Sequence, residues 1–265
     1  MKYGLLGLAL LACAAMAQSP SISPALVPAV GALRMGDYVQ AIESLQPLAA
    51  KGMTEAQFLL GLALETAPAP NRDEAAALGW YRKSAADGHA PSQNNLGTMY
   101  YDGRGTEKNL AEALRWYQAA AEKGHAEAAY NLALMHGMGA GIPKDAKLMA
   151  QWLRRSADAG NASAQAQLGR LYLDGEGVAQ SASEAAVWFR RAADRGHAWG
   201  QFYLAVSLQK GLGIPRDLEA AHDWYLKAAE SGHRGAMRAL ADIYRIGLGV
   251  PSDEAKARHW TEKAR

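Results

Sequence analysis

From residue 53 onward, apolar and polar positions recur with a step of 36 residues. Trp80, Trp116, Trp152, Trp188, Trp224 and Trp260 mark one column, and Leu60, Leu96, Leu132, Leu168, Leu204 and Leu240 another. A fixed step without insertion is the signature of a repeat array, and the pattern inside each step has helical rather than strand periodicity. In the unit from Asn161, Ala164, Leu168, Gly169 and Tyr172 fall on one arc of a first helix. Ala185, Trp188, Phe189, Ala192 and Ala193 do the same on a second. In the unit from His89 the two helices are expected around 89 to 101 and 109 to 123, and adding 36 gives the others. One such pair cannot cover its own apolar faces, so the expected fold is all-α, an α/α superhelical solenoid of stacked two-helix repeats. The periodic tryptophans are then expected in the core.

The turn residues agree with that division. Gly103 and Gly105, with Gly139 and Gly141, Gly175 and Gly177, Gly211 and Gly213, and Gly247 and Gly249, stand where the first helix must stop. The second helix opens at Asp73, Asn109, Asp145, Ser181, Asp217 or Asp253, whose side chains can accept from free helical N–H groups. Asn109 with Glu112 and Ser181 with Glu184 have capping-box spacing. Gly88, Gly124, Gly160, Gly196 and Gly232 end the second helices.

Composition narrows the function classes. The chain has 265 residues, 28 basic and 26 acidic, for a formal charge of +2, which carries no footprint of nucleic-acid binding. Met1 and Lys2, the apolar run Leu5 to Leu11, and Ala15-Met16-Ala17 before Gln18 read as a secretory signal peptide, 1–17, cleaved after Ala17. The alternative takes Leu10-Leu11-Ala12-Cys13 as a lipobox with Cys13 lipidated. Residues 18–24 read as a flexible leader and 25–52 as a degenerate leading helix pair, since Asp37, Ala41, Ala49 and Gly52 align with Asp73, Ala77, Ala85 and Gly88. No transmembrane segment is expected, and Cys13 is the single cysteine. The expected localisation is therefore periplasmic or secreted.

Ala164, Leu168, Gly169, Tyr172, Gly175, Gly177, Val178, Ala185, Trp188, Phe189, Ala192, Ala193 and Gly196 resemble, in order, the repeat of the Sel1-like repeat (SLR) family, relatives of tetratricopeptide repeats. Six units, 53–88, 89–124, 125–160, 161–196, 197–232 and 233–265, follow it; in the first, Ala67 and Ala69 replace the turn glycines and leave its loop geometry open. The resemblance implies a solenoid used for protein binding, in which the first helices line the concave surface. Cysteine-rich relatives are associated with β-lactam binding, but this chain lacks their paired cysteines.

Comparison among the units separates scaffold from site. Counting each first helix from its His89 equivalent, positions 1, 4, 5, 8, 9, 11 and 12 form a near-constant arc, and 3, 6, 7, 10 and 14 a variable one. Position 6 reads Phe58, Asn94, Tyr130, Ala166, Phe202 and Arg238, and position 3 holds Trp199, the one tryptophan off the 36-residue step. Aromatic and arginine anchors dominate interfaces, so the expected partner-binding residues are Trp199, Phe202, Tyr203, Tyr130, Arg170 and Arg238, facing a protein or peptide. A monomer without cofactor, metal or catalytic residue is expected. His89, His125, His197 and His233 share a column, but equivalent positions of stacked helices lie about 8–10 Å apart, too far to share one metal. Ser207 and Lys210 have the Ser-x-x-Lys spacing of serine β-lactamases without their Lys-Thr-Gly partner. β-Lactam chemistry at Ser207 and glycan or peptidoglycan binding by the aromatics are the rival readings.

Overall fold

A computed structural model describes residues 23–265. The expected signal peptide, Cys13 and most of the expected leader lie outside them. The described residues form fourteen α-helices and no strand, after a single 3-10 turn at Pro24–Leu26. The chain divides into two compact units between His125 and Ala126. The first contains α1 (Val27–Met35), α2 (Tyr38–Ala50), α3 (Thr54–Thr66), α4 (Glu74–Ala86), α5 (Ala90–Asp102) and α6 (Leu110–Glu122). The second contains α7 (Ala126–Met138), α8 (Ala146–Asp158), α9 (Ala162–Asp174), α10 (Ala182–Asp194), α11 (Ala198–Lys210), α12 (Leu218–Glu230), α13 (Arg234–Ile246) and α14 (Glu254–Lys263). Within each unit every helix packs on its neighbours in sequence, and the first helix α9 also touches the first helix α11.

The helices start where the cap residues dictate. Asp73, Asn109, Asp145, Asp217 and Asp253 each accept, through Oδ1, from the backbone N–H three residues on, and Ser181 does so through Oγ. Each such cap is worth about 1 kcal/mol. The reciprocal half of the capping box is absent: the backbone N–H groups of Asn109 and Ser181 donate to the carbonyls of Tyr100 and Tyr172, on the preceding first helix. The Glu112 carboxylate instead accepts from Trp116 Nε1 at 3.0 Å. The first repeat turns differently from the others. Ala67 is extended rather than left-handed (φ −55°, ψ 146°), and its carbonyl accepts from Arg72 Nε at 3.1 Å. The Asp73 N–H still reaches Leu64 O, the same bond that Asp145, Asp217 and Asp253 make to His136, Leu208 and Tyr244.

The turns also set how closely repeats stack. Gly177 and Gly213 have φ of +73° and +69°, and a Cβ on either would collide with the carbonyl of Ala146 or Ala182, the first residue of the second helix one repeat earlier. A side chain there would push that helix start away.

The tryptophan column departs from expectation. Trp188 and Trp260 are buried, but Trp80, Trp116, Trp152 and Trp224 are only half-buried. The next position is the deeper one: Tyr81, Tyr117, Leu153, Phe189 and Tyr225 are all buried. Neighbouring side chains on a helix diverge by about 100°, so the two positions rarely face the core equally; the unit with Trp188 and Phe189 buries both. The indoles lie under cations instead, with Lys83, Arg155, Arg191, Lys227 and Lys263 over the tryptophan three residues earlier at 4.0–5.1 Å, and Arg115 over Trp116. The column carries partly wet cation–π contacts, about 0.5–1 kcal/mol each.

Glycines in the facing helices make room for the buried rings. A Cβ at Gly61, Gly97 or Gly169 would stand 2.8, 2.8 or 2.6 Å from the ring of Tyr81, Tyr117 or Phe189. The buried hydroxyls are satisfied: Tyr81 donates to Glu65, which also pairs with Arg104, Tyr117 to Thr98, and Tyr225 to Gln209. Gln57, Gln93 and Gln165 donate Nε2–H to Ala49, Ala85 and Ala157, tying each first helix to the last turn of the helix before it.

Candidate functional site

The variable arc is not uniformly open. At position 6, Phe58, Asn94 and Ala166 are buried, Tyr130 and Phe202 half-buried, and Arg238 exposed. Sequence reasoning placed the whole column on a free face, whereas stacking of neighbouring repeats covers half of it. In the first unit the Phe58 ring lies 4.9 Å from His89.

In the second unit the aromatic residues of α11 do gather. Trp199 is 51% exposed, the largest exposed apolar side chain among the described residues. Its ring stacks near Tyr203 at 6.0 Å, and Tyr203 stacks in turn on the buried Phe189 at 4.9 Å. Phe202 meets Tyr203 edge-on at 5.4 Å and Tyr225 at 5.9 Å. The outer ring thus rests on a row of rings rooted in the core, and such support holds an anchor in place at little entropic cost. Tyr130, on α7, joins no ring of this cluster. Arg170 on α9 and Arg238 on α13 are exposed and have no ion-pair partner among the described residues.

One member of the cluster was read from the sequence as part of the histidine column and not as a partner-binding residue. His233 lies between Trp199, perpendicular at 4.5 Å, and Phe202, stacked at 4.4 Å, and is 8% exposed. The histidine column has a structural duty: His89, His197 and His233 cap α5, α11 and α13, with Nδ1 accepting from the N–H groups of Ser92, Gly200 and Ala236 at 3.3, 3.3 and 3.1 Å. Burial holds the imidazoles of His89, His125, His197 and His233 below their usual pKa, favouring the neutral form that can accept.

Position 3 of one repeat faces this cap of the next. Glu127 accepts from Asn161 Nδ2 at 2.8 Å, the charge of Glu55 acts on His89, and Ser163 Oγ lies 3.4 Å from His197 Nε2. At the next step the position-3 residue is Trp199 and the cap is His233. This juxtaposition puts an aromatic ring where three other repeats put the polar Glu55, Glu127 or Ser163 and one puts Pro91, and it requires the stacking register to be seen.

The remaining candidate chemistry finds little support in the geometry. Ser207 is 1% exposed inside α11, closed to a substrate, while Lys210 is exposed at the end of that helix. Among the described residues no group of three or more His, Cys, Asp or Glu side chains is placed to hold a metal ion, and no helix is long and apolar enough to cross a membrane.

The two-helix unit, its turn glycines and its ring-filled core define the class, and the comparisons give the family. The Sel1 repeat pattern matches residues 54–89, 90–125, 126–161, 162–197, 200–233 and 235–265, so the chain belongs to the Sel1 repeat family. It is similar to a Sel1 repeat protein from Oxalobacter formigenes, at 33% identity and a TM-score of 0.78, over 92% of this chain and 98% of that one. It is also similar to c5321, a protective antigen with an SLR fold present in uropathogenic Escherichia coli strains, at 29% identity and a TM-score of 0.83; 96% of this chain is covered but only 56% of that one. No curated protein sequence matches the chain significantly. Helical repeats of this family serve in general as protein-interaction scaffolds without catalysis.

Proposed function

We propose that this chain is a non-enzymatic protein-interaction module of the bacterial cell envelope, periplasmic or secreted, and that the first-helix face of its second unit holds a protein or peptide as regulator or assembly adaptor. The observation that carries the reading is Trp199. It is the one tryptophan off the repeat step, it is 51% exposed, and rings rather than solvent lie behind it. A repeat needs no tryptophan at position 3, where the other units carry Glu55, Pro91, Glu127, Ser163 and Gly235. A large apolar surface held open without a scaffold role is an interaction signal. The location rests on the reading of Met1 to Ala17 as a signal peptide. The similar Escherichia coli protein is described as a protective antigen, which agrees with an envelope or secreted setting.

The test is tagged co-purification from the native envelope after crosslinking, comparing wild type with Trp199→Ala/Phe202→Ala. The expected result is a specific protein lost with the double variant while helical circular dichroism is retained. The same proteins recovered with both baits would remove the first-helix face from consideration.

A further inference from the structure

The cap geometry fixes more about His233 than its position. Because Nδ1 accepts the Ala236 N–H, it carries the lone pair, and the neutral ring therefore bears its proton on Nε2. That Nε2–H is buried and has no hydrogen-bond partner among the described residues. One repeat earlier the equivalent atom, His197 Nε2, is within reach of Ser163 Oγ. Trp199 replaces that hydroxyl with an indole, whose π face is at best a weak acceptor. A buried donor without an acceptor is costly, and an incoming acceptor would relieve it. The exposed Trp199 ring packs edge-on against that imidazole at 4.5 Å.

We infer that Trp199 and the Nε2–H of His233 form one recognition element for an acidic peptide segment of a partner protein, the carboxylate accepting from His233 and an adjacent apolar side chain packing on Trp199. The inference rests on the interaction reading above and names the chemistry of the same site. Charge supports a carboxylate over a neutral acceptor. On the first helices before and after α11, Arg170 and Arg238 are exposed and unpaired. The acidic groups of that face are committed or distant: Asp242 pairs with Arg245 at 2.5 Å, Glu127 accepts from Asn161, and Asp174 stands at the far end of α9.

The test is fluorescence anisotropy on the full chain with two labelled nonapeptides of leucine, serine and glutamate, or of leucine, serine and glutamine. The decisive variant is His233→Ser, because Ser181 caps α10 through Oγ and shows that serine can hold a helix start, while its short side chain brings no donor to the place of the imidazole Nε2; asparagine would not serve, since Asn161 caps α9 and still donates to a carboxylate. The glutamate peptide is expected to bind wild type about tenfold more tightly than the glutamine peptide. His233→Ser should erase that preference, and Trp199→Ala should weaken both peptides about thirtyfold. Equal affinity of the two peptides for wild type, absence of binding by either, or a preference that survives in folded His233→Ser overturns the inference. If the co-purified partner still depends on Trp199 in that event, the interaction reading stands and only the acidic chemistry falls.

Discussion

A hydrogen atom at Gly169 is what lets α9 approach the Phe189 ring. A Cβ there would lie 2.6 Å from Cε1, 2.7 Å from Cδ1 and 3.2 Å from the Ala185 carbonyl, and the ring is fully buried. Gly169→Ala is therefore expected to destabilise the fold by about 1–3 kcal/mol, read by chemical denaturation. Phe189→Leu in the same chain should recover most of the loss, because the preceding repeat pairs Ala133 with Leu153 at the equivalent columns and buries both. An undiminished loss in the double variant would refute this ring-against-glycine account. The fifth repeat places Ala205 at the column opposite Tyr225, a departure that nothing in the structure explains. The tryptophans are a separate matter at this scale. The period shows that Trp80 and Tyr81 both recur, but not which of two adjacent aromatics faces inward. The cations at Lys83, Arg155 and Lys227 accompany indoles that stay near water, whereas Arg191 and Lys263 lie over the buried Trp188 and Trp260, so a cation three residues on does not by itself tell which indole is wet. The unit that best resembles the family is the exception, since it buries both Trp188 and Phe189.

Helix starts tie stability to pH. Three first helices are capped by neutral imidazoles whose pKa values burial lowers from about 6.5 in the unfolded chain. Protonation removes the Nδ1 acceptor and puts a positive charge at a helix N-terminus. As pH falls the unfolded chain takes up these protons first, so the caps contribute fully above about pH 6.5 and their contribution declines as pH drops through 6.5 towards the folded values. The melting temperature is expected to decline over that interval, and a His197→Asn/His233→Asn variant should decline less, with each cap worth about 1 kcal/mol. Identical profiles would show that the caps do not govern the acid limb. The Asp, Asn and Ser caps were readable directly, because these residues before an apolar period announce a helix start. The histidine caps were not. An imidazole can serve as cap, ligand or core residue, and only the distance from Nδ1 to the third N–H decides.

Across the whole molecule, repetition made the fold legible and a break in it pointed to the site. Helix order and turn positions follow from a step of 36 residues because each pair repeats one packing problem. Trp199 was visible as the tryptophan that the step does not require. The exposure of its neighbours was not: neighbouring repeats cover Phe58, Asn94 and Ala166 in the same column while leaving Arg238 free. The Nε2–H of His233 was equally hidden, since its lack of an acceptor arises only when position 3 of one repeat meets the cap of the next. On the proposed reading the α11 face, and not the second helices with their cation-covered indoles, meets the partner. Hydroxyl-radical footprinting of the full chain, free and bound to its crosslink-captured partner, tests this most directly. Oxidation of Trp199 is expected to fall severalfold in the complex while that of Trp224 stays unchanged. Unaltered labelling of Trp199 with protection at Trp224 would contradict it and move the interface to the second helices.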